Sequence, residues 1–237
     1  MLKNSSYKFD KKRFRTLVTN SSVANHRFFE LIKKDNAMAP LLIREFARSD
    51  YLVAKGFAQF LAYLISRVAD ARVRILLVEN LWEEHGSGDP SEIHFELYKR
   101  LLMTLDVKEP VLQDGVRAPF LQLHYDIADA SIPAGVAVFC YANEFLSMLE
   151  FSKVRRACVK YFPGVDQRYF DVNQDADVQH TKKLEESLST LVPTASVEER
   201  AYAFCEDALV LRANFYDEII TAVTETESKS GTKRQGE

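Results

Sequence analysis

The sequence predicts an all-α bundle folded as a single domain, on three observations. Eight glycines and seven prolines are few for 237 residues, which favours long helices over short strands and turns. Apolar residues recur every three or four positions through most of the chain, the period of a helix with one buried face. No segment alternates convincingly as a strand, and no internal repeat is visible. The length suits one well-buried core, and a second would be cramped.

Taken in order, residues 1–18 are polar and basic and read as a lead-in, with Lys11-Lys12-Arg13-Arg15 as a short solvated patch. The helical domain is placed at 19–223, with helices expected near 21–35, 39–48, 50–67, 70–86, 90–105, 115–130, 133–161, 168–191 and 196–223. Asp89-Pro90-Ser91-Glu92 offers an N-cap acid, a proline at the first helical position and a glutamate placed to close a capping box. Pro133 starts the next long helix in the same way, and Pro163-Gly164 ends it. Ser196, followed by Glu198 and Glu199, opens the last one. From Thr224 the chain has nothing to bury, so 224–237 is expected to be a disordered tail.

Composition narrows the function. Hydrophobic residues make up 47% and charged residues 27%, as in ordinary soluble proteins. A formal net charge of −3 argues against a nucleic-acid binder, which needs a concentrated basic face. Cys140, Cys158 and Cys205 are odd in number and widely spaced, and read as reduced packing residues. With no signal-peptide core and no apolar run of transmembrane length seen, the expectation is a cytoplasmic protein without a membrane partner.

Four helices carry titratable residues in line with their apolar stripes. The stripes run Val73, Leu77, Leu81, Glu84, then Pro90, His94, Leu97, Leu101, then Ala137, Tyr141, Glu144, Met148, and finally Phe170, Asn173, Asp177, His180, Leu184, Leu188. A lone buried carboxylate costs several kcal/mol unless paired or bound to a cation. Three converging in one core would repel, and a metal is the economical neutraliser. Glu83 and Glu84 also end a helix, where the dipole disfavours acids. Taken singly, each has a plainer reading. Glu84 fits an exposed helix-end acid, as Glu83 beside it does. His94 fits a hydrogen-bonded core histidine, and Asp177 with His180 fits a surface pair. Glu144 is harder to dismiss, since its neighbours Cys140, Tyr141, Phe145 and Met148 supply no cation. The set as a whole favours the metal. His26, His85 and His124 are given structural or surface roles.

Three stretches resemble the haem-oxygenase-like non-haem diiron oxidase family, whose superfamily includes pyrroloquinoline-quinone synthase-like and thiaminase-like helical enzymes. Asn80-Leu81-Trp82-Glu83-Glu84-His85-Gly86-Ser87-Gly88, followed by His94-Phe95-Glu96-Leu97, resembles the family's acid-glycine loop and the helix-start histidine after it. Phe139-Cys140-Tyr141-Ala142-Asn143-Glu144 resembles its glutamate-donating helix. The segment from Tyr169 to His180 resembles its His-x-x-x-Asp-x-x-His helix. The resemblance implies a haem-oxygenase-like bundle with Glu84, His94, Glu144, Asp177 and His180 as iron ligands. Asn173 stands where the pattern has its first histidine, and an amide oxygen is a weak, neutral ligand. Three outcomes stay open: a weaker second iron site, a single-metal site, or repurposed metal chemistry. Gly56-Phe57-Ala58-Gln59-Phe60 offers no extra carboxylate, which disfavours the nitrogen-oxidising branch.

The leading expectation is therefore an O₂-dependent Fe(II) oxidase or oxygenase, with two irons and O₂ as co-substrate. It would act in biosynthesis on an amino acid or other small carboxylate, with an external electron donor. Glu84 and His94 would serve one iron, Asp177 and His180 the other, and Glu144 would bridge. Tyr141 and Phe145 are candidates for lining the substrate pocket. A metal-free enzyme of the same fold and a non-catalytic helical interaction protein are the alternatives. A homodimer is left open, since related helical enzymes are commonly dimeric while no exposed stripe demands it.

Overall fold

A computed structural model describes residues 7–111 and 118–234, with side chains as far as residue 228. Among these residues the fold is all helical, apart from one isolated bridge between His85 and Ile93. The helix start expected at 115 lies outside the described residues.

The first helix, α1 (Lys11–Asn20), lies inside the expected lead-in. Asp10 caps it by accepting from the Arg13 amide, and Phe14 and Val18 are buried. Its basic patch is not simply solvated. Arg13 forks onto Glu199 at 2.6 and 2.8 Å, and Arg15 onto the buried Glu185 at 2.6 and 3.0 Å. Two apolar residues one turn apart, too few for a periodic signal, anchor this segment.

Next come α2 (Arg27–Lys33), α3 (Met38–Ser49), α4 (Tyr51–Arg67) and α5 (Ala71–Glu84), with His26 and Asp70 capping α2 and α5. Asp89 does cap a turn, accepting from the Ser91 amide, but the turn is a single 3₁₀ turn at Pro90–Glu92. The α-helix α6 starts only at His94 and ends at Thr104. α7 (Pro119–Ala130) and α8 (Ile132–Val138) form a tight hairpin. Gly135 permits it, because a Cβ there would sit 2.9 Å from the Ala128 Cα. α8 runs without a break through a π-helical segment (Phe139–Phe145) into α9 (Leu146–Tyr161). α10 (Arg168–Leu191) and α11 (Ala195–Arg234) complete the bundle. The last helix therefore continues well past Thr224. The acids and lysines that gave that stretch no core face are good helix formers and extend an existing helix.

The rod 132–161 lies at the centre, packed by α11 and α7 on its first half and by α10 on the π segment and α9. By length and composition it would cross a membrane, contrary to the expectation that no such run exists, yet 67% of its most apolar window is buried in the fold. The outer face of α5 also differs from expectation: Ile75, Val78 and Trp82, at helical spacing, are exposed.

His124 is fully buried, its Nδ1 2.6 Å from the Phe120 carbonyl and its ring edge-on to Phe60 and Phe120. Burial lowers its pKa from 6.5 to about 4. Between those values the unfolded chain binds a proton that the folded chain refuses, so stability falls as pH drops from 6.5 towards 4. The loss reaches about 3 kcal/mol. Urea midpoints of the native protein and of His124→Leu, compared at pH 7 and pH 5, check this: the variant should show a flatter acid slope.

Candidate metal centre

Four elements bring polar groups to one place. α5 ends on Glu84, and the chain then turns through Gly86, Ser87 and Gly88, all at positive φ. A Cβ on Gly86 would meet the Glu92 backbone at 2.8 Å, so this reversal is as tight as only glycine allows. It returns His94, the first residue of α6, to Glu84, with Nδ1 3.1 Å from Oε1. The π segment presents Glu144. α10 presents Asn173, Asp177 and His180, which share one face at spacings of four and three. All six are buried.

Glu144, Asp177 and His180 form the tightest group, with one donor atom from each lying within 4.8 Å of the others. His180 Nδ1 is 3.2 Å from Glu144 Oε2, and Asn80 donates to Glu144 Oε1 at 2.7 Å. Outside the group, Glu83 Oε2 lies 2.8 Å from His180 Nε2. Sequence reasoning placed Glu83 in solvent and left Asn80 without a role. Their spacing from Glu84 gave no signal, because their partners come from the π segment and α10.

Desolvation acts against the charged forms of His180, His94, Glu144 and Asp177. For His180 the carboxylates of Glu144 and Glu83 outweigh it and raise the pKa to about 9. For His94 the Glu84 carboxylate outweighs it and the pKa rises. For Glu144 the bonds to His180 win and its pKa falls. Asp177 lies near two further carboxylates. Desolvation, followed by Glu144 and Glu84, pushes it well above the carboxylate range. One Asp177 oxygen, Oδ2, is buried without a partner. A divalent cation answers that arrangement, displacing protons and satisfying the orphaned oxygen. The donors are carboxylate and imidazole with no thiolate, a set suited to iron or manganese.

A cavity adjoins this cluster, with about 50 Å³ open to a water molecule's centre inside about 630 Å³ of empty space counted to its mouth. Glu84, His94, Glu144, Asn173 and Asp177 are among its lining residues. The Asn173 amide nitrogen donates to the Tyr169 carbonyl at 2.7 Å, leaving its oxygen for a cation. Tyr141 and Phe145 do not line the cavity. Tyr141 stacks on Phe14 and donates to Glu185, while Phe145 lies under Arg15. The wider π turn carries these side chains away from the Glu144 face, which an α-helical reading could not anticipate. The aromatic wall is instead Phe57, Phe95, Phe120, Phe151 and Tyr169. Asp171, two residues before Asn173, pairs with Arg155 at 2.6 Å.

A family model described as iron-containing redox enzyme matches residues 44–212, well over half of the chain and every group just described. The chain belongs to the iron-containing redox enzyme family. As a member it is an iron-dependent oxidoreductase, and iron is the metal with which this donor set is compatible. Its curated relatives include the 4-aminobenzoate synthase of Chlamydia pneumoniae, 28% identical over 187 residues that cover 74% of this chain and 79% of that protein. That of Chlamydia trachomatis serovar D is 26% identical over 175 residues, covering 70% and 74%. Among solved structures, a TenA homologue from Pseudomonas syringae pv. tomato superposes with a TM-score of 0.73 at 14% identity, over 92% of this chain and 100% of that one. A CADD-like protein of unknown function from Nostoc punctiforme gives 0.67 at 15% identity, over 91% and 95%. These likenesses show the haem-oxygenase-like fold of this iron-containing redox enzyme.

Proposed function

We propose that this chain is an O₂-dependent oxidase or oxygenase that holds two irons and acts in biosynthesis on a small carboxylate. One observation carries the reading. A buried carboxylate–imidazole cluster with an orphaned Asp177 oxygen opens onto a narrow, aromatic-walled cavity. The names of the chlamydial relatives, synthases of a small aromatic amino acid, support the biosynthetic reading.

In this reading Glu84 and His94 would hold one iron, Asp177 and His180 the other, and Glu144 would serve both; the metal would supply the activation of dioxygen. The protein's own contributions are positional. Asn80 fixes one Glu144 oxygen, Glu83 fixes the outer nitrogen of His180, and the aromatic wall keeps bulk water from the substrate. Reducing equivalents would be supplied by an external donor.

Iron counting after anaerobic Fe(II) reconstitution tests the proposal. About two irons per chain supports it, about one shows that the Asn173 amide fails as a ligand, and none removes it. Glu83→Gln should keep the fold and weaken metal binding about 10–100-fold, the usual cost of losing an outer-shell partner. Competition against a chelator measures it, and an unchanged affinity would return Glu83 to the solvated surface.

A further inference from the structure

The cavity lining also holds a cation that the metal reading does not use. Arg212 is only 4% exposed and sits between two buried carboxylates. Its Nη1 donates to Asp50 at 2.6 Å, its Nη2 to Glu150 at 3.1 Å and its Nε to the same carboxylate at 3.3 Å. A guanidinium carries five N–H donors. Three are used, so one Nη1–H and one Nη2–H have no partner among the described residues. Asp50, Glu150 and Arg212 line the same cavity as Glu84, Glu144 and Asp177.

A second donor lies on that lining. Asn143, beside Glu144 in the π segment, is 5% exposed and its Nδ2 is buried without a partner. Buried donors left open in this way are costly, and an acceptor removes that cost. Phe57, Phe95, Phe120 and Phe151 line the same cavity.

We infer that Arg212 and Asn143 form an anchoring subsite for the carboxylate of a small ligand whose apolar or single-ring body lies against the phenylalanines, its far end towards the carboxylate–imidazole cluster. The inference rests on the proposed function for its substrate class, and it names the residues that select that class. Asp50 and Glu150 act as positioning residues, holding the guanidinium so that its free N–H groups stay available. An ammonium group in place of the carboxylate could accept from neither donor.

Calorimetric titration of the full chain with benzoate, benzyl alcohol and benzylamine tests this, in metal-free and Mn(II)-loaded protein, with manganese counted separately. Benzoate should bind at least about tenfold tighter than either neutral or cationic analogue. Asn143→Leu and Arg212→Lys should each weaken benzoate about tenfold or more while leaving benzyl alcohol unchanged. Circular dichroism and the manganese count show that each variant is folded. Benzoate binding that is absent, insensitive to both variants or weaker than that of benzylamine would overturn the subsite, whatever the metal count. Sensitive benzoate binding with no manganese taken up would leave the subsite standing and remove the metal reading instead.

Discussion

Glu144→Gln is expected to abolish stable iron binding while leaving the bundle folded. Glutamine keeps the volume of Glu144 and an oxygen for the Asn80 amide, which donates at 2.7 Å in the native protein. What it loses is the charge facing His180 Nδ1 at 3.2 Å. Outer-shell changes alone cost about 10–100-fold in metal affinity, so removal of a central carboxylate should cost at least about a hundredfold. Thermal melts read the difference directly. Native protein at a hundredfold excess over its dissociation constant gains about 2.7 kcal/mol from Fe(II), and the variant should gain almost nothing at the same concentration. If the variant melts early without metal and still takes up iron, Glu144 is a structural group and the centre lies elsewhere.

Arg212→Met should be the most destabilising single change in the chain. It strips the cation from Asp50 and Glu150, both nearly inaccessible, and breaking a buried pair by removing one partner costs about 3–5 kcal/mol. For a chain of this length that is a fall in Tm of roughly 10 °C. The cost arises from the stranded acids rather than from lost packing. Combining Arg212→Met with Asp50→Leu and Glu150→Met should therefore recover most of the stability. Urea unfolding of the single and triple variants measures both, and a triple variant no better than the single would show that packing dominates.

Much of the helical plan was legible because each helix carries its own period and its own stop. Pro133, Gly164 and the apolar stripe of α10 are local signals, and the structure places helix ends within a few residues of them. Glu84, His94, Glu144, Asp177 and His180 stood out for a related reason: each breaks an apolar stripe. What stayed hidden depends on partners distant in sequence. α1 is held by Glu185 and Glu199 some 170 residues or more away, and Arg212 draws on Asp50 from the α3–α4 junction and on Glu150 from α9. Asn80 and Glu83 acquire roles only when α5 meets the π segment and α10. The direction of Tyr141 was misjudged because a uniform α-helical step was assumed across Phe139–Phe145.

That widened turn has a consequence for how the chain tolerates change. Ala142, Asn143 and Glu144 are consecutive, yet all three border one hollow, whereas evenly wound helix would splay them over about 200°. Excising a single residue from this stretch would let the rod wind evenly, a local gain in regularity. It would also swing everything downstream, Glu150 included, by about 100° relative to the upstream half. The shortened chain should remain as helical by circular dichroism and yet have its two polar poles facing different directions. Length here is under tighter constraint than chemistry.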